Sequence, residues 1–422
     1  MDLTYSDKLD IFSSKSLDNT IEYTEIINFR PVTPLRKDSV IEFNINSLSS
    51  YIDLSQTKIC MKVRLLKSDG NAIGKEDNVT LINYPVASII KNCTGTLNGV
   101  DISSGIGNLY SYNSLFKLLL DNNEDIKESL FQAGGFYKDV YGYENSTDPK
   151  LGGNIGLTAR YNETQNGKIY DLIGPVFLDM FTIDKYLIHG VNLSLNIYPN
   201  SDAFVLLSDQ NNYKFEIVDC YLKMTVIKVS PDILISHNTV LNTANAKYDY
   251  KKSMLKAFTV PPNMTSFSQD NIFLGKVPNE VIIAIVRNKA FNGSFQYNPF
   301  AFENFNVCNV NLQISGQNEV SLKPNYDSNH YMECYDSMFN EKTKVIGNYI
   351  SREDYKNGCA IYMLTVKHVK DPKYVYMLRN GYVRLNIDFK QPVSDALTVI
   401  VYTNIDALVE FDDARNVYVR EY

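Results

Sequence analysis

The 422-residue sequence contains no tryptophan, only four histidines and only six cysteines. The cysteines show neither the paired spacing of a zinc site nor the density of a disulfide framework. They are Cys60, Cys93, Cys220, Cys308, Cys334 and Cys359. We interpret them as reduced, mostly buried thiols.

Long apolar runs and basic runs are also missing. The sequence contains no stretch of roughly 18 apolar residues, which is the length that spans a membrane, and residues 1–10 lack the apolar core of a signal peptide. No run rich in Lys and Arg offsets the net charge of −7, so direct nucleic-acid binding is not expected. Hydrophobic residues make up 44% of the chain, enough to form hydrophobic cores, and charged residues make up 21%, too few for a disordered chain. We therefore expect a globular protein. Its length predicts either two domains or one large all-β unit.

Patterns that carry chemistry are absent as well. His189, His237, His330 and His368 form no His-x-His pair and have no carboxylate at ligand spacing. Adjacent acidic residues, such as Glu124-Asp125 and Asp412-Asp413, would point to opposite faces of a strand, so they cannot flank one bond and are interpreted as solvated turn charges. No nucleophile or phosphate-loop motif is visible. We therefore predict a protein that is not an enzyme, with no catalytic, cofactor-binding or metal residues and no cofactor.

Apolar residues recur with the period of a β-strand from end to end. Five segments alternate apolar with polar residues, as expected of strands with one buried face. They are Ile41–Ile45, Ile59–Leu65, Val191–Ile197, Cys308–Ile314 and Val383–Phe389. Two runs, Val281–Val286 and Leu397–Val401, lack alternation and are rich in β-branched residues, which favours strands covered on both faces.

Helical signals are few and lie between the strands, so we expect helices to decorate the fold. Asn108–Leu120 presents one apolar face, and Glu124–Phe131 is a short candidate ended by Gly134-Gly135. Pro231–Asn242 is a third candidate, and Ser351–Asp354 has the pattern of a capping box. The loop-rich excursion 136–168 is predicted to be an exposed tower or a trimer-clamping insertion.

A short sequence that occurs twice suggests that the chain has two similar halves. Leu195-Asn-Ile197 and Leu385-Asn-Ile387 are each followed by Ser-Asp-Ala and an apolar strand. We divide the chain into an N-terminal arm (1–20), a first jelly roll (21–229), a connector (230–252) and a second jelly roll (253–422).

Aromatic residues are abundant, with 30 Tyr and 21 Phe. Six of them lie within 15 positions of one loop. They are Phe291, Phe295, Tyr297, Phe300, Phe302 and Phe305. We favour packing under the loop or in a trimer seam over a ligand-stacking platform.

Two segments, Gly174–Leu207 and Phe267–Phe305, combine strand-period residues with loops dense in Asn, Phe and Tyr. Further pieces with the same character, in the same order, extend from residue 51 to residue 402. They are Tyr51–Leu54, Val229–His237, Phe291–Ser294, Asn298–Phe300, Ile350–Tyr355 and Val399–Tyr402. This ordered set resembles the major capsid proteins of Polintons (Mavericks) and adintoviruses, in the double-jelly-roll lineage that includes adenovirus hexon.

The resemblance implies an all-β fold of two tandem eight-stranded jelly-roll barrels, a double jelly roll, with short helices and long loops. It also implies a major capsid protein that forms pseudo-hexameric homotrimers in the icosahedral virion of a double-stranded DNA virus or virus-like element, assembled inside the host cell. The implied partners are neighbouring capsomers, a single-jelly-roll penton protein and minor capsid proteins, with a maturation protease and a packaging ATPase acting beside them. No sequence-specific nucleic-acid contact and no membrane span are expected.

Two other function classes stay open. A carbohydrate- or receptor-binding jelly-roll protein would show a shallow aromatic groove and a monomeric or dimeric state. An enzyme on a β-sandwich would need a convergent polar cluster that the spacing does not reveal.

Overall fold

A computed structural model of the chain describes residues 19–37, 39–46, 49–339, 344, 347–366 and 379–422. Residues 1–18 of the predicted N-terminal arm, and His368, lie outside the described residues.

The first half of the chain forms a sandwich of two four-stranded antiparallel sheets. Sheet 1a has the strand order β1-β10-β3-β7 and sheet 1b the order β2-β8-β5-β6, while β4 and β9 form a separate ladder. The strands are β1 (Ile21–Phe29), β2 (Ile41–Ile45), β3 (Tyr51–Lys67), β4 (Val79–Leu81), β5 (Ile90–Leu97), β6 (Val100–Asp101), β7 (Tyr170–Pro175), β8 (Leu193–Pro199), β9 (Leu206–Ser208) and β10 (Tyr213–Val229).

The second half repeats this plan. Sheet 2a has the order β11-β20-β14-β17, with β21 also paired to β20, and sheet 2b has the order β12-β19-β15-β16; β13 pairs with β18. The strands are β11 (Ala246–Val260), β12 (Ser266–Gln269), β13 (Lys276–Val277), β14 (Glu280–Arg287), β15 (Val307–Ile314), β16 (Gln317–Leu322), β17 (Ile361–Thr365), β18 (Arg379–Asn380), β19 (Val383–Phe389), β20 (Leu397–Phe411) and β21 (Val417–Glu421).

The two strand orders correspond one to one, and each is that of an eight-stranded jelly roll. The predicted all-β double jelly roll is confirmed. The two copies of the repeated Leu-Asn-Ile segment lie in equivalent strands, β8 and β19. In sheet 1b, β8 lies between β2 and β5, and in sheet 2b, β19 lies between β12 and β15. We call the two sandwiches the first roll and the second roll.

The predicted alternation is what builds each core. Ile41, Phe43 and Ile45 of β2 lie directly opposite Ile197, Leu195 and Leu193 of β8, and all six side chains are buried. Since a strand directs successive side chains to opposite faces, the intervening polar residues lie on the outer face of sheet 1b. The core of each roll is thus the apolar face of its two sheets.

The two rolls stand side by side and point the same way. Neighbouring strands in every sheet pair antiparallel. The connections β3–β5, β6–β7 and β8–β10 therefore all leave the first roll at one end. The equivalent connections of the second roll leave it at its corresponding end. We call this the loop end. The link from β10 to β11 lies at the opposite end, which we call the connector end.

Short helices occupy the connections. They are α1 (Pro85–Ser88), α2 (Tyr110–Asp121), α3 (Glu124–Lys127), α4 (Ile155–Thr164), α5 (Asp202–Val205), α6 (Pro231–Leu241), α7 (Asn288–Asn292), α8 (Met332–Ser337) and α9 (Arg352–Asn357). The predicted capping box is present, because the Ser351 and Asp354 side chains each accept from the other's backbone N–H. The helices are few and short, as expected, but α2 lies inside the protein: every residue from Tyr110 to Leu120 except Lys117 is buried.

Candidate functional surfaces

Helix α2 belongs to the β6–β7 connection of the first roll, but it packs on the second roll. Phe116 stacks on Phe302 with ring centroids 5.7 Å apart, and it also contacts Tyr402 of β20. Tyr112 packs against Phe291 and Phe300. Three of the six loop aromatics, Phe291, Phe300 and Phe302, therefore fill a seam between the two rolls, which confirms for these three that they pack within the protein.

The seam explains the two apolar runs without alternation. Five residues on the outer face of sheet 2a are at most 4% exposed: Ile282, Ala284 and Val286 of β14, and Ile400 and Tyr402 of β20. They alternate with residues of the same strands that face the core of the second roll. Elements of the first roll cover this outer face of sheet 2a, so its strands are buried on both faces as predicted.

A buried polar cluster fixes the first roll to strand β11. Asp179, in the β7–β8 connection, accepts hydrogen bonds from Lys117 Nζ (2.7 Å), from the Ser253 N–H (2.7 Å) and from Ser253 Oγ (2.6 Å). Burial lowers the pKa of Lys117, but the Asp179 carboxylate more than offsets this, so the pKa lies above its usual value. Close by, the Leu255 N–H donates to Gly105 O. The free edge of β11 is therefore closed by the first roll.

The excursion 136–168 is not a free-standing tower, contrary to that part of the prediction. Arg160 is fully buried and pairs with Asp139 at 2.8 Å, which anchors the segment to its own roll. The same segment reaches the second roll through the ion pair Lys138–Asp354 (2.8 Å) and through Asn298, which donates to Glu144 O. The segment therefore joins the two rolls at the loop end.

At the connector end, Arg415 joins three segments. Its guanidinium donates to His189 O (3.0 Å), to His189 Nε2 (3.0 Å) and to Asn238 of α6 (3.1 Å), while Asn98 donates to Arg415 O. His237 of α6 bonds Tyr51 Oη at 2.7 Å. Burial, Arg415 and His237 lower the pKa of His189, in that order.

The outer face of sheet 1a has no such cover from any residue that the structure describes. Arg64 and Glu216 form an exposed cross-strand ion pair on β3 and β10, and Arg30 lies over the half-exposed ring of Tyr221. Lys62 is half-buried on the same face. The equivalent face of the second roll is buried, so the two rolls differ most in what covers this sheet.

The outer face of sheet 2b carries a polar groove of about 510 Å³. Two side-chain ladders cross it: Ser268 donates to Asn386, which donates to Asn311. Ser321 donates to Asn309, which donates to Asp388. The groove is lined by Ser266, Phe267, Ser268, Asn309, Asn311, Gln313, Ser321, Lys323, Arg384, Asn386 and Asp388. Phe267 is its one aromatic residue, so it is not the aromatic groove expected of a sugar-binding protein.

The histidines were predicted to be scattered, but the structure brings two of them together. The rings of His189 and His237 both lie within 6 Å of the Tyr51 ring, whereas His330 lies in a turn of the second roll, where its N–H and C=O bond Asn325. Across the described ranges, no group of three or more His, Cys, Asp or Glu side chains could hold a metal ion. In the same part of the chain, no helix is long and apolar enough to cross a membrane.

Comparison with known proteins follows from this architecture. No protein-family model matches the chain. The uncharacterized protein F54H12.2 of Caenorhabditis elegans is 23% identical over 398 residues, which cover 88% of this chain and 90% of that protein. Neither result assigns a function.

Solved structures match over nearly the whole chain. A chain of the Sputnik virophage structure gives a TM-score of 0.64 at 12% identity, covering 100% of this chain and 93% of that one. The mavirus major capsid protein gives 0.56 at 10% identity (99% and 93%), and the Faustovirus major capsid protein gives 0.58 at 8% identity (94% and 92%). The shared feature is the double jelly roll. At these identities the likeness shows the fold alone.

Sequence reasoning missed the polar clusters that join the rolls. Lys117 stands out as the one charged residue inside an apolar helical stretch, which was a usable signal. Its partners Asp179 and Ser253 lie 62 and 136 positions further along the chain, and no spacing rule connects them.

Proposed function

We propose that the protein is a major capsid protein whose three copies form a pseudo-hexameric capsomer of an icosahedral double-stranded DNA virus or virus-like element. The observation that carries this is the asymmetry between equivalent sheets. Among the described residues, the β6–β7 connection of the first roll covers the outer face of sheet 2a, while none covers the outer face of sheet 1a.

Repeating that one contact between copies closes a ring. The second roll of one chain would cover sheet 1a of the next, and the relation between rolls would then be the same within and between chains. Such a head-to-tail contact forms a closed assembly when its rotation closes, and three chains with two rolls each give six rolls around one axis. An obligate interface of this kind buries more than about 2,000 Å².

The capsid proteins among the structural neighbours support the proposal, since they share the fold over nearly the full chain. A nematode relative fits an element carried in an animal genome, so we keep the Polinton or adintovirus type within the proposal. The division into arm, two rolls and connector, the location in the virion, the assembly inside the host cell, and the penton and minor capsid partners belong to it as well. The proposal assigns no enzyme activity and no catalytic, cofactor or metal residue.

The state of association tests the proposal. We expect the purified full chain to have three times the monomer mass by size-exclusion chromatography with light scattering, and a hexagonal outline by negative-stain microscopy. The double variant Lys62→Glu/Tyr221→Glu reverses one charge on sheet 1a and adds a second negative charge. It should give monomers with an unchanged circular dichroism spectrum. The matched control Asn44→Glu/Ser268→Glu, on the exposed outer faces of sheets 1b and 2b, should remain trimeric. A monomeric wild type would refute the proposal.

A carbohydrate- or receptor-binding protein is the alternative, and the groove on sheet 2b is the one observation that favours it. Sugars usually stack on aromatic rings as well as bonding amides, and the one aromatic residue among the described lining residues, Phe267, lies opposite the buried Ile387 and directs its ring to the core face. A monomer that binds glycans through this groove, with binding lost in Asn386→Ala, would support the alternative instead.

A further inference from the structure

Lys127 has an unusual environment in the contact between the two rolls. It is the last residue of α3, its side chain is 1% exposed, and Nζ donates to the main-chain oxygens of Leu119 (2.8 Å) and Asn348 (2.5 Å). It forms no ion pair with any carboxylate of the described residues, and burial lowers its pKa to about 7. A neutral amine whose two hydrogens point at two carbonyl groups keeps a free lone pair, which makes it a nucleophile.

Asn348 is the residue that this amine approaches. Its side chain is 2% exposed, and Nδ2 has no hydrogen-bond partner in the described part of the structure. Oδ1 accepts from the Ile350 N–H at 3.2 Å, which polarises Cγ. Only Cα and Cβ separate Cγ from the carbonyl carbon whose oxygen Lys127 bonds. The Asn348 side chain is thus a buried, unsatisfied amide beside a buried amine.

A buried acid lies beside Gly358, in the same contact between the two rolls. Glu144 is 4% exposed, Oε2 accepts from the Gly142 N–H, and Oε1 has no partner among the described residues. Burial raises its pKa to about 7. Lys127 and Glu144 both influence the pKa of the fully buried Cys359 thiol. A Cβ at residue 358 would lie 1.5 Å from Glu144 Oε1, so Gly358 leaves the space that this carboxyl fills.

We propose that Lys127 and Asn348 form an isopeptide bond that joins the two rolls covalently. The Nζ lone pair attacks Cγ of Asn348, a proton passes from Nζ to Nδ2, the Cγ–Nδ2 bond breaks, and ammonia leaves. One C–N bond forms and one breaks, nothing is oxidised or reduced, and no co-reactant is consumed. The bond links positions 221 residues apart and does not depend on how many chains associate.

Mass spectrometry of the full wild-type chain tests the proposal. After incubation near neutral pH, the denatured chain should be lighter than its sequence mass by one ammonia. A digest should contain one branched peptide with Lys127 and Asn348 joined. Proteolytic nicking in the exposed helix α6 should leave both halves in a single band on a denaturing gel. A chain of full sequence mass, with the two residues in separate peptides, would overturn the proposal.

Variants separate this chemistry from other losses of mass. Lys127→Met should keep its full sequence mass. Asn348→Asp should lose water instead of ammonia, because a carboxyl replaces the amide, and so reach the mass of the cross-linked wild type. Lys138→Met, which removes another lysine of the same contact, should still lose ammonia. Glu144→Gln should still lose ammonia, because the proton passes directly from Nζ to Nδ2.

Discussion

Replacing Glu144 with glutamine should change how the stability of the protein depends on pH. Burial raises the pKa of this carboxyl from 4.5 to about 7, so the folded protein holds the proton more tightly than the unfolded chain does. Stability therefore falls as the pH rises from about 4.5 to about 7, and the full loss is present above that range. A shift of this size corresponds to about 3 kcal/mol. Glu144→Gln cannot ionise, so its stability should not fall across the same range.

The assay is urea unfolding at a series of pH values, followed by tyrosine fluorescence because the chain has no tryptophan. We expect the variant to be more stable than the wild type by about 3 kcal/mol near pH 8 and to equal it near pH 4.5. Glu76→Gln, at an exposed position, serves as the control and should follow the wild type at every pH. Equal differences between wild type and Glu144→Gln at both ends of the range would refute the reasoning. Carrying out the series in the Lys127→Met background keeps the isopeptide bond from affecting the result.

Two further predictions concern the contacts between the rolls. Asp179→Asn should destabilise the protein by roughly 3–5 kcal/mol in thermal or urea unfolding, because it leaves Lys117 buried without a counter-charge. The double variant Asp179→Asn/Lys117→Met should recover much of this loss of stability. No recovery would show that Ser253 is the important partner of Asp179. His189→Gln should reduce the loss of melting temperature on acidification. Since the folded protein lowers the pKa of His189, wild-type stability is lost as the pH falls through about 6.5, whereas glutamine can still accept from Arg415 without gaining a proton. Equal acid sensitivity of variant and wild type would contradict this.

The sequence predicted the sheets well because strand period and burial are local properties. The segments Ile59–Leu65 and Val383–Phe389 alternate and form half-buried strands, while Val281–Val286 does not alternate and is covered on both faces. That contrast separates sheet 2a, which the first roll covers, from sheet 1a, whose outer face the described residues leave open. The repeated Leu-Asn-Ile likewise marked equivalent strands.

Helix α2 and the joining clusters could not be predicted in the same way. The polar residues of α2 suggested a solvent-facing side, but Asn113 donates to Phe177 O and Ser114 to Tyr110 O inside the protein. The partner of Asn113 lies 64 positions further along the chain, and the rings that Tyr112 and Phe116 contact belong to the second roll. The link between Arg415 and His189 is set by tertiary contacts across 226 positions, for which the sequence holds no periodic signal.

The placement of α2 has a consequence for synthesis on the ribosome. Tyr112 and Phe116 emerge long before Phe302 and Tyr402, so a nascent first roll presents these rings to water while about 200 further residues are translated. During that interval the unfinished chain is a substrate for chaperones and for premature self-association. The rate of elongation through the second half therefore governs the yield of usable subunits.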